Sequence, residues 1–426
     1  MTPSTLNKPF GAHLIFSVLI FLTSYFGYAQ AADLVQFQGN AQHTGLSPYT
    51  GPSSSDVIEK WVLPIDVKEG DPSVTADGSI YVTSAAGILY ALNADGSEKW
   101  NLNIGTPSRG APAIGSNGNI HVAGEDGYLY AVSSSGTLLW TFKTKIGVTF
   151  GEGFIGGSPA IGDDGTIYVA GVYGDVNALD PNGNLLWTAD IYNYNGGFEH
   201  FWGTSPTIGI NGNLYIQSSD PINATKKGYL FAFNIQTGAL AWAMPIGEGD
   251  WSTPTVGDNG TIYVGGQWED AAGVITANYY AIQDNGASAD ILWSFPISEV
   301  GGITSAAMAP DGNAVYFTSI LQGTNDYNLF KVDATTGSEV WRYQPMTFGN
   351  IYTSTPLVGA NGTVYIGTGN GEVGTQNSVH ALSAAGVKLW TYDTGAVIWD
   401  SPTLGPDGTL YVGSDQLHAL IEFVAP

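Results

Sequence analysis

The sequence contains no cysteine among its 426 residues. That absence excludes disulfide bonds, thiol catalysis, thioether-linked haem and a lipid anchor on cysteine. Basic residues are also scarce, since 12 lysines and arginines stand against 37 aspartates and glutamates, for a net charge of −25. So acidic a chain argues against nucleic acid and anionic membrane surfaces as partners. Sustained helical periodicity is missing too, which favours an all-β protein.

The first residues are typical of a secretory signal peptide. Lys8 precedes the apolar run 14–26, and alanines two positions apart precede a cleavage point at Ala32. We therefore predict that residues 1–31 are a cleaved signal and that the mature protein is secreted or periplasmic, with no membrane anchor. Removal of Lys8 takes away no acid, so the mature charge is 11 minus 37, or −26.

One sequence motif recurs eight times. It consists, in order, of a small residue that is usually proline, an apolar pair, an Asp-Gly or Asn-Gly turn, and an aromatic-rich strand. The turns lie 40 to 52 residues apart, at Asp77-Gly78, Asn117-Gly118, Asp164-Gly165, Asn211-Gly212, Asn259-Gly260, Asp311-Gly312, Asn361-Gly362 and Asp407-Gly408. Such turns match the twist of antiparallel pairs, and each copy has room for four strands. Four antiparallel strands in a period of this length describe the blade of a β-propeller.

A tryptophan ends the fourth strand of every copy, which gives eight blades: Trp61, Trp100, Trp140, Trp187, Trp242, Trp293, Trp341 and Trp390. We interpret these tryptophans as packing between neighbouring blades. Residues 57–61 form a fourth strand without its first three, whereas the last copy, from Ser401, stops before its own fourth strand. Joining the two ends completes the last blade and removes both free edges. The prediction is one eight-bladed β-propeller over 57–426, preceded by a lead-in at 32–56.

Residues 232–242, from Ala232 to Trp242 with Gly238 at the seventh position, fit the eleven-residue tryptophan-docking motif of the pyrroloquinoline quinone (PQQ) repeat propellers. Residues 331–341 fit with lysine in place of the first alanine, and the segment 36–45 is similar to the lead-in of such secreted propellers. The chain thus resembles this PQQ-like family over nearly all of its mature length. The resemblance implies an eight-bladed propeller but no single function, because the family contains quinoprotein dehydrogenases, the propeller of the outer-membrane barrel-assembly machinery (BamB), and cofactor-free binding or carbohydrate-active proteins.

The sequence departs from both named subfamilies. It lacks the adjacent cysteine pair and the long insertions of the large quinone-dependent dehydrogenases, and no Glu, Asn and Asp set for their calcium is evident. It also lacks the lipidated cysteine of the assembly propeller. We therefore predict a protein without a cofactor or metal site, with PQQ and calcium kept as the alternative for a dehydrogenase. Buried packing is the expected role of His121, His380 and His418, and a surface or packing role that of His43.

Strand order predicts where a site would lie. The loop after the second strand and the link to the next blade share one face, and nearly all length variation falls there. We call it the long-loop face; its longest loops are 218–227, 268–278, 321–328 and 370–378. The opposite, tight-turn face carries the short hairpins.

Four tryptophans outside the blade pattern map to the long-loop face, together with carboxylates. Aromatic rings stack on sugars and carboxylates bind hydroxyl groups, so this face is predicted to bind a small or polymeric ligand, foremost carbohydrate. The expected ligand-binding residues are Trp202, Trp251, Trp399, Trp268, Asp400 and Glu152. The opposing interpretation is that these aromatic residues only plug the mouth of the channel.

Catalysis on the same face is the first alternative. His200 and Tyr352 as base and acid, with Arg109 neutralising a uronate, would suit a polysaccharide lyase. Two carboxylates, such as Glu199 and Asp250, would suit a glycoside hydrolase. A monomeric periplasmic scaffold for protein partners is the second alternative, and a quinone-dependent dehydrogenase is the third.

Overall fold

The strands follow the repeat that the sequence predicts, and each blade is one antiparallel sheet. The structure is a computed structural model that describes residues 35–67, 70–145, 156–194, 200–201, 203–219, 228–249, 252–269, 275–297, 303–320, 326–345, 352–369 and 377–423. The first strand, β1 (Val57–Leu63), belongs to the last blade. A single 3-10 turn, Phe37–Gly39, precedes it.

The first four blades each have four strands, numbered from the channel outward. Blade one contains β2 (Ser73–Val74), β3 (Ile80–Thr83), β4 (Ile88–Leu92) and β5 (Glu98–Asn103). Blade two contains β6 (Ala113–Ile114), β7 (Ile120–Ala123), β8 (Tyr128–Val132) and β9 (Leu138–Lys143). Blade three contains β10 (Ala160–Ile161), β11 (Ile167–Gly171), β12 (Asp175–Leu179) and β13 (Leu185–Asp190). Blade four contains β14 (Thr207–Ile208), β15 (Asn213–Gln217), β16 (Tyr229–Asn234) and β17 (Leu240–Pro245).

The other four blades complete the ring. Blade five contains β18 (Thr255–Val256), β19 (Thr261–Glu269), β20 (Ile275–Asp284) and β21 (Ala289–Ile297). Blade six contains β22 (Ala307–Met308), β23 (Ala314–Ile320), β24 (Tyr327–Asp333) and β25 (Glu339–Tyr343). Blade seven contains β26 (Tyr352–Thr353), β27 (Leu357–Val358), β28 (Val364–Gly369), β29 (Ser378–Leu382) and β30 (Lys388–Asp393). Blade eight contains β31 (Thr403–Leu404), β32 (Leu410–Gly413) and β33 (Leu417–Glu422), with β1 as its outer strand.

Closure of the ring depends on pairing between the two ends of the chain. β1 pairs antiparallel with β33, from Val57 opposite Glu422 to Leu63 opposite Leu417. This pairing covers an edge that would otherwise be exposed. The predicted all-β, eight-bladed propeller, closed by its N-terminal strand, is therefore confirmed.

The eight strand-ending tryptophans all dock onto a neighbouring segment. In seven of them the indole N–H donates a hydrogen bond of 2.8–3.3 Å to a backbone carbonyl, that of Ala94 for Trp61 and that of Pro52 for Trp390, for example. The eighth, Trp242, donates to the carboxylate of Asp284 instead, at 2.9 Å. The tryptophans hold blades together, as the sequence analysis expects.

The lead-in seals the tight-turn end of the channel. Six of the eight inner strands bond to it at their second residue. Five of these residues donate a backbone N–H to a lead-in carbonyl, at 2.7–2.9 Å: Ile114 to Val35, Ile208 to Ala41, Val256 to Gln42, Met308 to Thr44 and Val358 to Gly45. In blade three, Ile161 N–H donates to the side-chain oxygen of Gln36 at 2.7 Å. Because inner strands present unpaired N–H groups to the channel, this segment satisfies donors that would otherwise be buried alone.

His43 lies within this seal, not on a surface. Its side chain is fully buried, packs edge-on against Phe37 and lies 3.1 Å from the hydroxyl of Thr207. That hydroxyl already donates its proton to the carbonyl of Pro254 at 2.7 Å, so the imidazole must donate through Nδ1. Burial lowers the pKa of His43 to about 3. His43 is therefore a neutral packing residue.

Candidate functional site

The long-loop face is asymmetric because strands in blade five extend well beyond those of the early blades. β19 has nine residues and β20 has ten, and they stay paired out to Glu269 opposite Ile275. The equivalent second strands β3 and β7 have four residues each. The extended strands raise a wall on one side of the channel, where the sequence places its longer loops.

Links between blades also contribute to this wall. His200 pairs with Ser219, two residues past the end of β15, whereas Glu248 pairs with Gln267 in β19 and Tyr352 pairs with Gly369 in β28. Each of these pairings is antiparallel. Each pair adds a rung on the long-loop side of the inner strand. His200 and Tyr352, which the sequence analysis names as base and acid, both lie on these links; the side chain of Tyr352 lies outside what the structure describes.

His200 is turned into the protein. Its side chain is 1% exposed, and its ring contacts Tyr173 and Tyr192 with centroid distances of 5.9 and 5.6 Å. The Nζ atom of Lys145 lies 5.2 Å from the Tyr192 ring centre and 2.6 Å from Asp190. An aromatic cluster therefore surrounds the histidine that was predicted as a catalytic base.

Arg109 is engaged with a carboxylate. Its Nε atom lies 2.6 Å from Oε1 of Glu125, and the two side chains are 30% and 28% exposed. Glu125 in turn donates its backbone N–H to the carbonyl of Pro107, on the same link as Arg109. A uronate at this point would have to compete with an acid that the protein itself supplies.

Trp399 and Asp400 are neighbours in sequence but have opposite environments. Trp399 is 41% exposed, and Asp400 is 1% exposed. A Cβ atom placed on Gly413 would lie 1.9 Å from Oδ2 of Asp400, so this carboxylate packs directly against the blade-eight backbone. Trp268, near the end of the extended strand β19, is half-buried. The two described tryptophans of this face thus differ in how much ring they present to solvent.

The remaining predicted site residues lie outside the described residues: Glu152, Glu199, Trp202, Asp250 and Trp251. Their assignment stays a prediction. Among the residues that the structure does describe, no group of three or more histidines and acids could hold a metal ion.

The repeat also contains an unpredicted series of hydrogen bonds, which joins the links of blades two to six where these enter the inner strands. In most copies of the repeat, the residue before the proline is Ser or Thr. Its hydroxyl accepts a hydrogen bond from the backbone N–H of the residue at the same repeat position in the preceding blade. The bonds run from Ala111 to Ser158, Ser158 to Ser205, Ser205 to Thr253 and Thr253 to Ser305, at 2.9–3.0 Å. We call this the inner hydroxyl ring. Alignment of the eight copies with one another shows its residues, since they share one repeat position.

Comparison with known proteins places the chain in a family. The profile of the family described as outer membrane protein assembly factor BamB matches residues 54–200, 125–221 and 226–377. These matches cover more than half of the chain, so the chain belongs to this family of PQQ-like propellers. The resemblance drawn from the docking motif is thereby confirmed.

Individual relatives are more distant. Quinohemoprotein alcohol dehydrogenase ADH IIB of Pseudomonas putida is 30% identical over 186 residues, which are 42% of this chain and 24% of that protein. The match thus spans about a quarter of the length of this relative. So short a match does not show that the two proteins share an activity.

Solved structures share the fold. BamB from Moraxella catarrhalis has 17% identity and a TM-score of 0.59, over 86% of this chain and 97% of that one. Quinohemoprotein alcohol dehydrogenase from Comamonas testosteroni has 14% identity and a TM-score of 0.67, over 93% and 82%. At these identities the likeness shows the propeller fold alone.

Proposed function

We propose that this protein is a binding scaffold whose long-loop face holds a polypeptide partner. The observation that carries the proposal is the seal at the other end of the channel. Because residues 35–45 bond to six inner strands at the tight-turn side, a ligand on the propeller axis is approached from the long-loop side. The extended β19 and β20 and the exposed ring of Trp399 offer contact area on that side, and Trp is enriched at the energetic centres of protein interfaces. The family to which the chain belongs is described as an outer membrane protein assembly factor, which supports a protein as the partner.

Substitution of Trp399 tests this proposal. Trp399→Ala should weaken capture of the partner about tenfold or more, which corresponds to loss of one central aromatic contact of about 1.4 kcal/mol or more. Leu186→Ala is the matched control, because Leu186 is also a large exposed side chain, at 55%, but lies on the outer strand of blade three. Affinities are measured by titrating immobilised wild-type and variant protein with the partner recovered on the wild type. Equal affinity of both variants would count against the long-loop face.

Carbohydrate is the second candidate ligand, favoured by the exposed indole of Trp399 on the link into blade eight. Thermal shift with a polysaccharide panel separates the two candidates, since a glycan ligand should stabilise the wild type and lose that effect in Trp399→Ala. The same incubations, read for new reducing ends and for unsaturated uronate absorbance, test the lyase and hydrolase alternatives. The described geometry favours binding over catalysis, because His200 is buried and Arg109 is ion-paired.

A quinone-dependent dehydrogenase is the remaining alternative and would need PQQ and calcium. The chain offers no cysteine pair to cap a quinone, and the described residues contain no group of three or more histidines and acids that could hold a metal ion. Dye reduction in the presence of added PQQ and calcium tests this alternative.

Secretion belongs to the same proposal. Residues 1–31 lie outside the described residues. Among the described residues, no helix is long and apolar enough to cross a bilayer. We infer cleavage before Ala32 and a secreted or periplasmic location. Sequencing of the mature N-terminus should then begin at Ala32, and an intact Met1 would contradict secretion through this segment.

A further inference from the structure

The seal at the tight-turn end of the channel leaves two neighbouring blades uncovered. The lead-in bonds to the inner strands of blades two to seven at their second residue. The second residues of the other two inner strands are Val74 in blade one and Leu404 in blade eight, and both are buried, at 4% and 3% exposed. Within the part of the chain that the structure describes, no hydrogen bond joins the backbone N–H of either residue to the lead-in.

These two N–H groups have the same position in the repeat as the groups that the lead-in binds. Val74 and Leu404 each pair with the first residue of their second strand, in the register of Ile208 in blade four. The N–H of Ile208 points away from its own sheet and donates to the carbonyl of Ala41. Because buried backbone donors in folded proteins are almost always paired, blades one and eight each present a donor that still needs an acceptor.

The path of the lead-in places this gap beside the start of the described chain. The lead-in meets the blades in chain order, from Val35 at blade two to Gly45 at blade seven. Farther along, it crosses the tight turn of blade eight, where the carbonyl oxygen of Thr50 would lie 2.9 Å from a Cβ atom added to Gly408. The uncovered inner strands therefore lie between this crossing and Val35, on the blade-one side of Val35.

The length of the processed chain fits the gap. Between Ala41 and Gly45 the lead-in bonds to four successive blades and advances one blade in one or two residues. At that rate, two further blades need two to four residues. Cleavage before Ala32 leaves three residues, 32–34, ahead of Val35. The compact unit that contains the propeller also begins at Ala32.

We propose that residues 32–34 complete the seal in the processed protein, with their backbone carbonyls accepting the N–H groups of Val74 and Leu404. These three residues lie outside the described residues. With residues 1–31 still attached, the chain would have to leave the gap beside the lead-in at Thr50, which already occupies the blade-eight side. Removal of the signal thus closes the tight-turn end of the channel. The inference rests on the proposed cleavage before Ala32.

Hydrogen exchange of the Val74 and Leu404 amides tests the completed seal. Protein that begins at Ala32 is compared with a variant that lacks residues 32–34. Both amides should be protected in the first protein and should lose protection at least about tenfold in the second, the size expected for loss of one buried hydrogen bond. The amides of Ile208 and Met308, which bond to the described lead-in, should keep their protection and show that the variant is folded.

Leu34→Ala is the matched control, because it keeps the length of the segment and its backbone carbonyls. This variant should protect Val74 as the unaltered protein does. Free exchange of Val74 and Leu404 in the protein that begins at Ala32 would overturn the proposal, as would equal protection in the variant that lacks residues 32–34. Sequencing of the natural N-terminus tests cleavage separately, so a failure of processing and a failure of the seal are distinguished.

Discussion

Replacement of Asp284 by alanine should destabilise the propeller by about 4 kcal/mol, the largest single effect that we expect from a point change. Its carboxylate joins blade five to blade four by accepting five hydrogen bonds. The donors are the side chains of Asn211, Asn213, Tyr215 and Trp242 and the backbone N–H of Gly286, at 2.6–2.9 Å. The side chain is 8% exposed, so alanine would leave these donors without an acceptor in a largely dry site.

The control for this prediction is Asp290→Ala, on the outer strand that follows the same turn. Asp290 is exposed and accepts one hydrogen bond, from Asn285 at 2.8 Å, so its loss should change stability by at most about 0.5 kcal/mol. Urea denaturation of both variants measures the difference. A similar small effect for both would show that the five bonds contribute no more than surface contacts do.

Acid should weaken the same link. Burial opposes ionisation of Asp284, but its hydrogen bonds, that of Tyr215 foremost, outweigh burial and hold the pKa of this carboxyl below its ordinary value. The stabilisation from Asp284 is therefore present above the ordinary pKa of an aspartate and is lost as the pH falls through the lowered one.

Gly238→Ala should cost about 3 kcal/mol, the second-largest expected effect. Gly238 has φ of +69°, and an added Cβ would lie 2.5 Å from Cε3 of Trp187, the tryptophan that docks onto this turn from blade three. The substitution combines backbone strain with displacement of an indole whose N–H bonds to the carbonyl of Ile235.

Gly212 provides a matched control in the same blade. Its φ is +84°, but an added Cβ would meet no atom within 4 Å. Gly212→Ala should therefore show the backbone strain alone, about 1 kcal/mol, and the difference from Gly238→Ala measures the docking of Trp187. If the two variants unfold at the same urea concentration, the tryptophan contributes nothing through this contact.

The repeat made most of the fold predictable. Asp-Gly and Asn-Gly turns fix hairpins locally, and Trp61 and Trp390 mark fourth strands on either side of the ring closure. The seal formed by the lead-in was not predictable in the same way, because five of its six bonds to the inner strands use lead-in backbone carbonyls, which carry no sequence signal. Asp284 could have been noticed as an acid at the turn that receives Trp242, but only the structure shows that its carboxylate accepts the indole N–H in place of a backbone carbonyl.

The candidate site was less predictable than the fold. His200 and Asp400 lie on links between blades, but the sequence gives no sign that both side chains are buried. Burial there depends on neighbours from other segments, Tyr173 and Tyr192 for His200 and the small Gly413 for Asp400. Such neighbours are set by the packing of blades, which residue spacing along one chain does not report.

Site-specific photo-cross-linking tests the central claim, that the long-loop face binds a polypeptide partner and the tight-turn face does not. A photoreactive residue is placed at Trp399 in one protein and at the exposed Ser135, in a tight turn of blade two, in another. Both are irradiated in cells that make the protein. We predict a discrete covalent adduct with a polypeptide from position 399 and none from position 135. Adducts from position 135 alone, with none from 399, would contradict the account.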